Sequence, residues 1–401
     1  MKTRIRVCQD GTYVKPASNK LAYGTMVFVR VGICYDSLRH LMRAVTIATR
    51  YAAVRHQSKI DSRESEPQIL EYQTQQYKVL PQIATVFALM FSANTVRNTY
   101  YTVQDNLKDG NLNLLPELHA LSCGLKALCT TDATSGIEIL RLSCGGHGYL
   151  ASSNLPRIFV WATAAQTYEG ENTVLWLQVA RYLMKCYREV SRGGQLQPSV
   201  VYLAEDNHTI IPTRDLTNEG LVQRLKRSVF RMVQSSAAEL ESRQIAGERY
   251  ERAWNASSIG LVKCAQAHIR YFVCKQFVKS VGIYEGSEPV KQLLEQLCRL
   301  YLLYTITKNQ GILLRAGSLS NGELNKLEGE LGELLAELRL DAVNIVDAFD
   351  CHDAVLNSTL GSWDGDVYNR LYRAAMESPL NKSDVTDGYQ KYMKAHLKSN
   401  L

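Results

Sequence analysis

A carboxylate set between an aromatic residue and a glycine, close behind an apolar run, is the feature of this chain best suited to chemistry. Glu169 lies between Tyr168 and Gly170, after Ile158-Phe-Val-Trp-Ala162. Partial desolvation there would disfavour the charged form and raise the carboxyl pKa, which suits removal of a weakly acidic proton. Glu171 and Asn172 follow at the mouth of the next predicted helix. Free N–H groups and the positive end of a helix dipole can face a ligand's polar atoms there. Upstream, Cys144-Gly-Gly-His-Gly-Tyr149 reads as a glycine-rich helix exit, in which Gly145 and Gly146 can adopt left-handed conformations. From the residues alone Glu169 has two readings: a general base, or a helix-start carboxylate that only answers the dipole.

Other candidates carry similar pairs of readings. Arg55 ends the first predicted helix. Its guanidinium fork suits a dianionic pyrophosphate, and it equally suits a solvated helix end. Gln73, Gln75 and Gln76 open the second predicted helix, where their spacing gives a polar face. No strand precedes Gly145 and Gly146, so they do not form a dinucleotide fingerprint, and His147 reads as a turn residue. Asp347, Asp350, His352 and Asp353 read as surface and capping groups, and no metal is expected. The ten cysteines contain no CxxC pair and no zinc-like Cys/His spacing. Most sit in apolar helical context and read as buried free thiols of a reducing compartment.

The elements that must position these groups are helical. Residues 1–19 read as a leader loop with a turn at Asp10-Gly11. Apolar residues three and four apart predict long helices over 21–55, 69–105, 116–144 and 171–191. Pro81 stands near an early turn of the second, and the third is open to interruption at Thr130–Thr134. Residues 149–170 read as a loop containing Pro156. Four long antiparallel helices make one bundle over 20–192. Residues 193–213, with two glycines and two prolines, read as a linker, and a second helical domain follows over 214–397. Within it Ser320 and Glu323 match a capping box, ahead of Leu324, Leu327, Leu331, Leu334 and Leu338 on one face. Residues 398–401 remain as a tail. The fold class is all-α.

Composition narrows the partners. The chain has 401 residues, 46% of them hydrophobic and 21% charged. It contains no apolar run of about 20 residues, so no membrane span is expected. Its first residues lack a secretory apolar stretch. The net charge of +7 is concentrated at the front, with Arg30, Arg39, Arg43, Arg50 and Arg55 among the cations. No nucleic-acid motif accompanies them, so nucleic acid is set aside in favour of the phosphates of a nucleotide cofactor or coenzyme A.

Several motifs in one order resemble a known family. They are Asp10-Gly-Thr-Tyr-Val-Lys-Pro16, Ser18-Asn-Lys-Leu-Ala-Tyr-Gly-Thr-Met-Val-Phe-Val-Arg30 and Ile69-Leu-Glu-Tyr-Gln-Thr-Gln-Gln-Tyr-Lys78. Pro116-Glu-Leu-His-Ala-Leu121, Tyr168-Glu-Gly-Glu-Asn-Thr173, Val346-Asp-Ala-Phe-Asp350 and Ser378-Pro-Leu-Asn-Lys382 continue the series. Together they resemble peroxisomal acyl-CoA oxidases of the acyl-CoA dehydrogenase superfamily, over essentially the whole chain.

The resemblance implies an FAD-dependent enzyme that converts fatty acyl-CoA to trans-2-enoyl-CoA and reduces O2 to H2O2. It implies that Glu169 is the base, that Gly170 leaves room for the thioester, and that Glu171 lies at the cofactor. Arg55 would hold the FAD pyrophosphate, with Gln73 and Gln75 at its adenylate half. Gly145 and Gly146 would approach FAD of the neighbouring subunit of a homodimer, and Tyr23 and Arg30 would face the acyl-CoA channel. The tail Ser399-Asn400-Leu401 is close to the peroxisomal Ser-Lys-Leu address read by an import receptor, although Asn replaces the central lysine.

The family also carries an N-terminal helical domain and a β-domain ahead of this region, and the chain is expected to lack them and to be inactive alone. Two alternatives stand beside the oxidase. One is a non-catalytic truncated paralogue acting as a dimerisation partner. The other is a dehydrogenase that passes electrons to a flavoprotein; the large second helical region and the tail favour the oxidase over it.

Overall fold

The computed structural model describes residues 6–14, 19–190, 192–205 and 215–399. Leading the described chain, Arg6–Val7 (β1) pairs antiparallel with Tyr13–Val14 (β2) across a turn at Gly11, whose φ is +83°. The expected loop therefore contains a small hairpin.

Three long helices follow: α1 (Asn19–Val54), α2 (Gln73–Lys108) and α3 (Leu115–Ser143). The threes-and-fours pattern on α1 buries Val27, Val31, Cys34, Leu38 and Leu41. α1 packs along both α3 and α2. Pro81 lies inside α2 without ending it; the Thr85 hydroxyl donates to the Pro81 carbonyl at 2.7 Å. α3 runs unbroken through Thr130–Thr134, with the Thr130 hydroxyl folded back on the Ala127 carbonyl at 3.2 Å. A local hydroxyl-to-backbone bond thus coexists with the helix instead of breaking it.

Residues 149–170 depart from the expected loop. Leu155–Ala164 forms α4, which packs on α3 and α1. Asn154 starts it at φ +62°, and its amide donates to the Leu356 carbonyl at 2.7 Å. Pro156 lies in the first turn, where its missing N–H leaves no carbonyl unpaired. Pro156 therefore marks a helix start, not a break. α5 (Asn172–Val190) then packs against α3 and completes the bundle.

The remaining helices are α6 (Asn218–Ile245), α7 (Tyr250–Ala256), α8 (Ser258–Gly282), α9 (Glu288–Lys308), α10 (Gln310–Arg315) and α11 (Asn321–Leu338). Shorter ones close the chain: α12 (Ala342–Asp347), α13 (Asp353–Leu356), α14 (Val367–Glu377) and α15 (Lys394–Ser399). The capping box at Ser320 and Glu323 is formed at the start of α11, and its five seam leucines are buried.

α8 packs on α2, α3 and α5 as well as on α6 and α9, while α9 and α11 pack on α2. One apolar core therefore runs through both helical sets. Part of the expected linker is anchored in it: Val200, Tyr202 and Leu203 are buried, and the Tyr202 hydroxyl lies 3.0 Å from His268 Nδ1. Residues 206–214 lie outside the described residues.

α2 is the one described helix long and apolar enough to cross a membrane, but 72% of its most apolar window is buried by its neighbours. It is a core helix. The front-loaded arginines have partners within the chain, Arg50 in the interior and Arg39 at the surface. Arg50 is buried and binds Asp347 at 2.8 Å and the Gly361 carbonyl at 2.8 Å, Arg43 donates to the Val355 carbonyl at 2.8 Å, and Arg39 pairs with Asp36 at 3.2 Å. Asp353 serves Arg370 at 3.3 Å, and His352 caps the Ala354 N–H at 3.2 Å.

Candidate active site

Between α4 and α5 the backbone takes two left-handed steps. Glu169 has φ +54° and Gly170 has φ +107°. The first is unfavourable by about 1–2 kcal/mol for a residue with a side chain. The second requires glycine, and a Cβ there would also lie 2.7 Å from Leu175 Cδ2.

Neighbouring helices hold this turn. From α1, Arg30 Nε donates to the Glu169 carbonyl at 3.0 Å, while its Nη1 donates to Cys123 Sγ at 3.3 Å. From α3, Lys126 Nζ donates to the Gly170 carbonyl at 2.8 Å and to Asn172 Oδ1 at 3.1 Å. The Asn172 amide in turn donates to Thr130 Oγ1 at 3.0 Å and Thr131 Oγ1 at 3.1 Å. Arg30 is 5% exposed and Lys126 is fully buried. Burial, reinforced by the Arg30 charge, pushes Lys126 down to about 8. Burial likewise lowers the nearby His119 and raises the Cys123 thiol to about 11.

The two carboxylates of the turn differ in use. Glu171 caps its own helix, accepting from the Thr173 N–H at 2.9 Å and the Thr173 hydroxyl at 3.2 Å. Glu169 is half-buried, and among the described residues no hydrogen bond or ion pair engages its carboxylate. It is the carboxylate left free to take a proton.

A second group of expected residues meets where α1 ends, α2 begins and α3 ends. Arg55, Gln75 and Gly145 line one pocket of about 260 Å³ with Tyr51, Thr74 and Ser143. Arg55 reaches the Tyr368 hydroxyl at 3.4 Å, and the buried Gln75 donates to the Ser143 carbonyl at 3.1 Å. Gly145 has φ +61°, and a Cβ on it would meet nothing within 4 Å. A guanidinium, an amide, hydroxyls and bare backbone form a donor set that fits the phosphate or ribose part of a dinucleotide.

Other expected residues lie elsewhere or differ in detail. Gln73 sits outside this pocket and donates to the Gly332 carbonyl at 3.4 Å on α11. Gly146 is exposed and takes an ordinary φ, so only Gly145 uses the left-handed freedom expected of both. Gly148, the third glycine of the stretch, is the tightly packed one: a Cβ there would lie 2.0 Å from the Arg141 carbonyl oxygen. Tyr23 lies in α1, but its side chain falls outside the described residues, as do Asn400 and Leu401 of the tail.

Lys126 is the main residue that sequence reasoning passed over. Its signal is a lone cation within Gly124-Leu-Lys-Ala-Leu128 on the inward face of α3. Among the described residues no group of three or more His, Cys, Asp or Glu is arranged to hold a metal.

The bundle is helical and carries an unengaged glutamate at the entry to α5; its class comes from comparison with known proteins. Residues 23–184 match the acyl-CoA oxidase C-alpha1 domain, and residues 217–398 match the acyl-CoA oxidase domain model. The chain belongs to the acyl-CoA oxidase family, a family of enzymes.

Among its relatives is human peroxisomal acyl-coenzyme A oxidase 1, 43% identical over 404 residues, which cover 98% of this chain and 60% of that protein. Acyl-coenzyme A oxidase 1 of Drosophila melanogaster is 40% identical, over 99% of this chain and 60% of the relative. Among solved structures, acyl-CoA oxidase-1 of Caenorhabditis elegans, complexed with FAD and ATP, superposes with a TM-score of 0.92 at 35% identity. The match covers 99% of this chain and 60% of that one. The chain thus spans about 60% of the length of these relatives.

Proposed function

We propose that this chain supplies the base-bearing helical part of an FAD-dependent acyl-CoA oxidase. The observation that carries the reading is the free, half-buried Glu169 on a left-handed turn held by Arg30 and Lys126. Kinship with named acyl-CoA oxidases supports it.

Forming a double bond next to a thioester carbonyl requires loss of a proton from Cα and a hydride from Cβ. Glu169 takes the proton. Bound FAD would supply the hydride acceptor and the route by which the electron pair reaches O2 to give H2O2. Gly170 leaves room for the thioester, and Glu171 orders the start of α5 beside it. Arg55, Gln75 and Gly145 would hold the phosphate–ribose part of the cofactor, with Gly146 exposed beside them. Gln73, turned toward α11, and Arg30, engaged with the turn, have partners within the chain in the form described. In this reading residues 20–192 and 214–397 are the two helical domains of a homodimeric enzyme. It works in the peroxisome, imported through Ser399-Asn400-Leu401.

Oxygen and peroxide stoichiometry tests the function class. The complete FAD-loaded enzyme given palmitoyl-CoA should consume one O2 and release one H2O2 for each enoyl-CoA formed. Turnover that requires an added electron-accepting flavoprotein, with no peroxide, would assign a dehydrogenase instead.

A further inference from the structure

Behind the Glu169 turn lie two buried cations, and Glu171 acts on Lys126 only from beyond ion-pair distance. Arg30 is 5% exposed and Lys126 is fully buried, and among the described residues neither forms an ion pair. Other buried arginines in this protein do have acids: Arg50 has Asp347 at 2.8 Å, and Arg224 has Glu323 at 2.8 Å. An unpaired buried cation is costly, so its hydrogen bonds must offset that cost.

The hydrogen bonds of Arg30 and Lys126 converge. Apart from Cys123, their acceptors are the Glu169 carbonyl, the Gly170 carbonyl and Asn172 Oδ1. The first two belong to the residues with positive φ. Charge-assisted bonds to two successive carbonyls fix the peptide planes on either side of Gly170, and the first of these planes adjoins the Glu169 Cα and so restricts the direction in which its side chain leaves the backbone. A general tie between helices would have no reason to single out these carbonyls.

We propose that Arg30 and Lys126 are positioning residues, a buried cationic cradle that holds the Glu169–Gly170 turn left-handed and thereby aims the base. The proposal rests on the reading of Glu169 as the base. The lowered pKa of Lys126 agrees with two cations sharing one enclosed place.

Two measurements on Lys126→Met, which keeps chain length but removes charge and donors, test the cradle. In the complete FAD-loaded enzyme the limiting rate of flavin reduction by acyl-CoA should fall at least about tenfold, with KM and FAD content near parental values. In the 401-residue chain, amide hydrogen exchange over residues 166–173 should rise while the rest of α5 stays protected. A parental limiting rate with raised exchange would mark a merely structural tie and overturn the proposal. A slowed rate with unchanged exchange would assign the lysine another role and overturn it equally.

If Lys126→Met does not fold, Arg30→Lys carries the same two readouts, because it keeps the charge but gives up the fork. Parental values in both would refute the cradle. Glu169→Gln as a control separates the two levels. If it abolishes flavin reduction while the cradle variants do not, the inference fails and the base assignment stands. If it leaves the rate unchanged, the base assignment itself fails.

Discussion

At the residue scale, the base is defined by its backbone as well as by its carboxyl. Glu169 and Gly170 both occupy positive φ, and Leu175 closes the space above Gly170. Gly170→Ala would combine a strained φ of +107° with a 2.7 Å approach to Leu175. We expect it to destabilise the protein by on the order of 1–3 kcal/mol, a fall of several degrees in melting temperature. It should also slow flavin reduction, because relief of the clash must move residue 169. A melting temperature equal to the parent's would show that the turn has freedom the geometry denies it.

Glu169 stood out in the sequence by its place between an aromatic residue and a glycine, but those residues alone left both readings open, and it was the family resemblance that favoured the base. The left-handed turn was not legible. Arg30 reaches Glu169 across 139 residues of sequence and Lys126 reaches Gly170 across 44, and periodicity carries no trace of such contacts.

At the element scale, long helices could be read with good boundaries, and short or buried irregular segments could not. α1, α2, α3 and α5 follow the apolar period closely, and the Ser320–Glu323 box marks the start of α11 by local chemistry alone. α4 spans ten residues, too few for the period to rise above Pro156 and the flanking polar residues. The segment after α5 reads as a linker from its glycines and prolines, yet Tyr202 inserts into the core against His268.

That contact has a pH signature. Burial, with a smaller push from Lys275, lowers His268 to about 3. Below the ordinary histidine value of 6.5 the unfolded chain binds a proton that the folded chain refuses. Stability from this group is therefore present above 6.5 and lost as pH falls toward 3, with a slope of up to about 1.4 kcal/mol per pH unit. His268→Phe should flatten denaturant-measured stability between pH 6.5 and 4. An unchanged slope would remove His268 as the source.

At the scale of the whole molecule, the helical spacing of apolar residues indicated an all-α chain, and resemblance indicated its family. Neither disclosed that the two helical sets share a core. α8 rests on α2, α3 and α5, with Ile269 against Gly124 of α3 and Phe277 against Phe91 of α2, a surface that a linker-and-two-domain outline leaves unspecified. That packing bears on the site, because α3 carries Lys126 on one face and meets α8 on another. Gly124, two residues before Lys126, leaves the gap that Ile269 fills; a Cβ there would lie 2.4 Å from Ile269 Cγ1. The second helical set thus supports the helix that holds the base-bearing turn.

In the proposed function the half-buried carboxylate on this turn removes the α-proton of an acyl thioester. Stopped-flow reduction of the bound flavin by palmitoyl-CoA, in the complete enzyme and its Glu169→Gln variant at equal FAD content, tests it most directly. The variant should keep the cofactor and the fold but reduce flavin several orders of magnitude more slowly. Reduction at the parental rate would contradict that role.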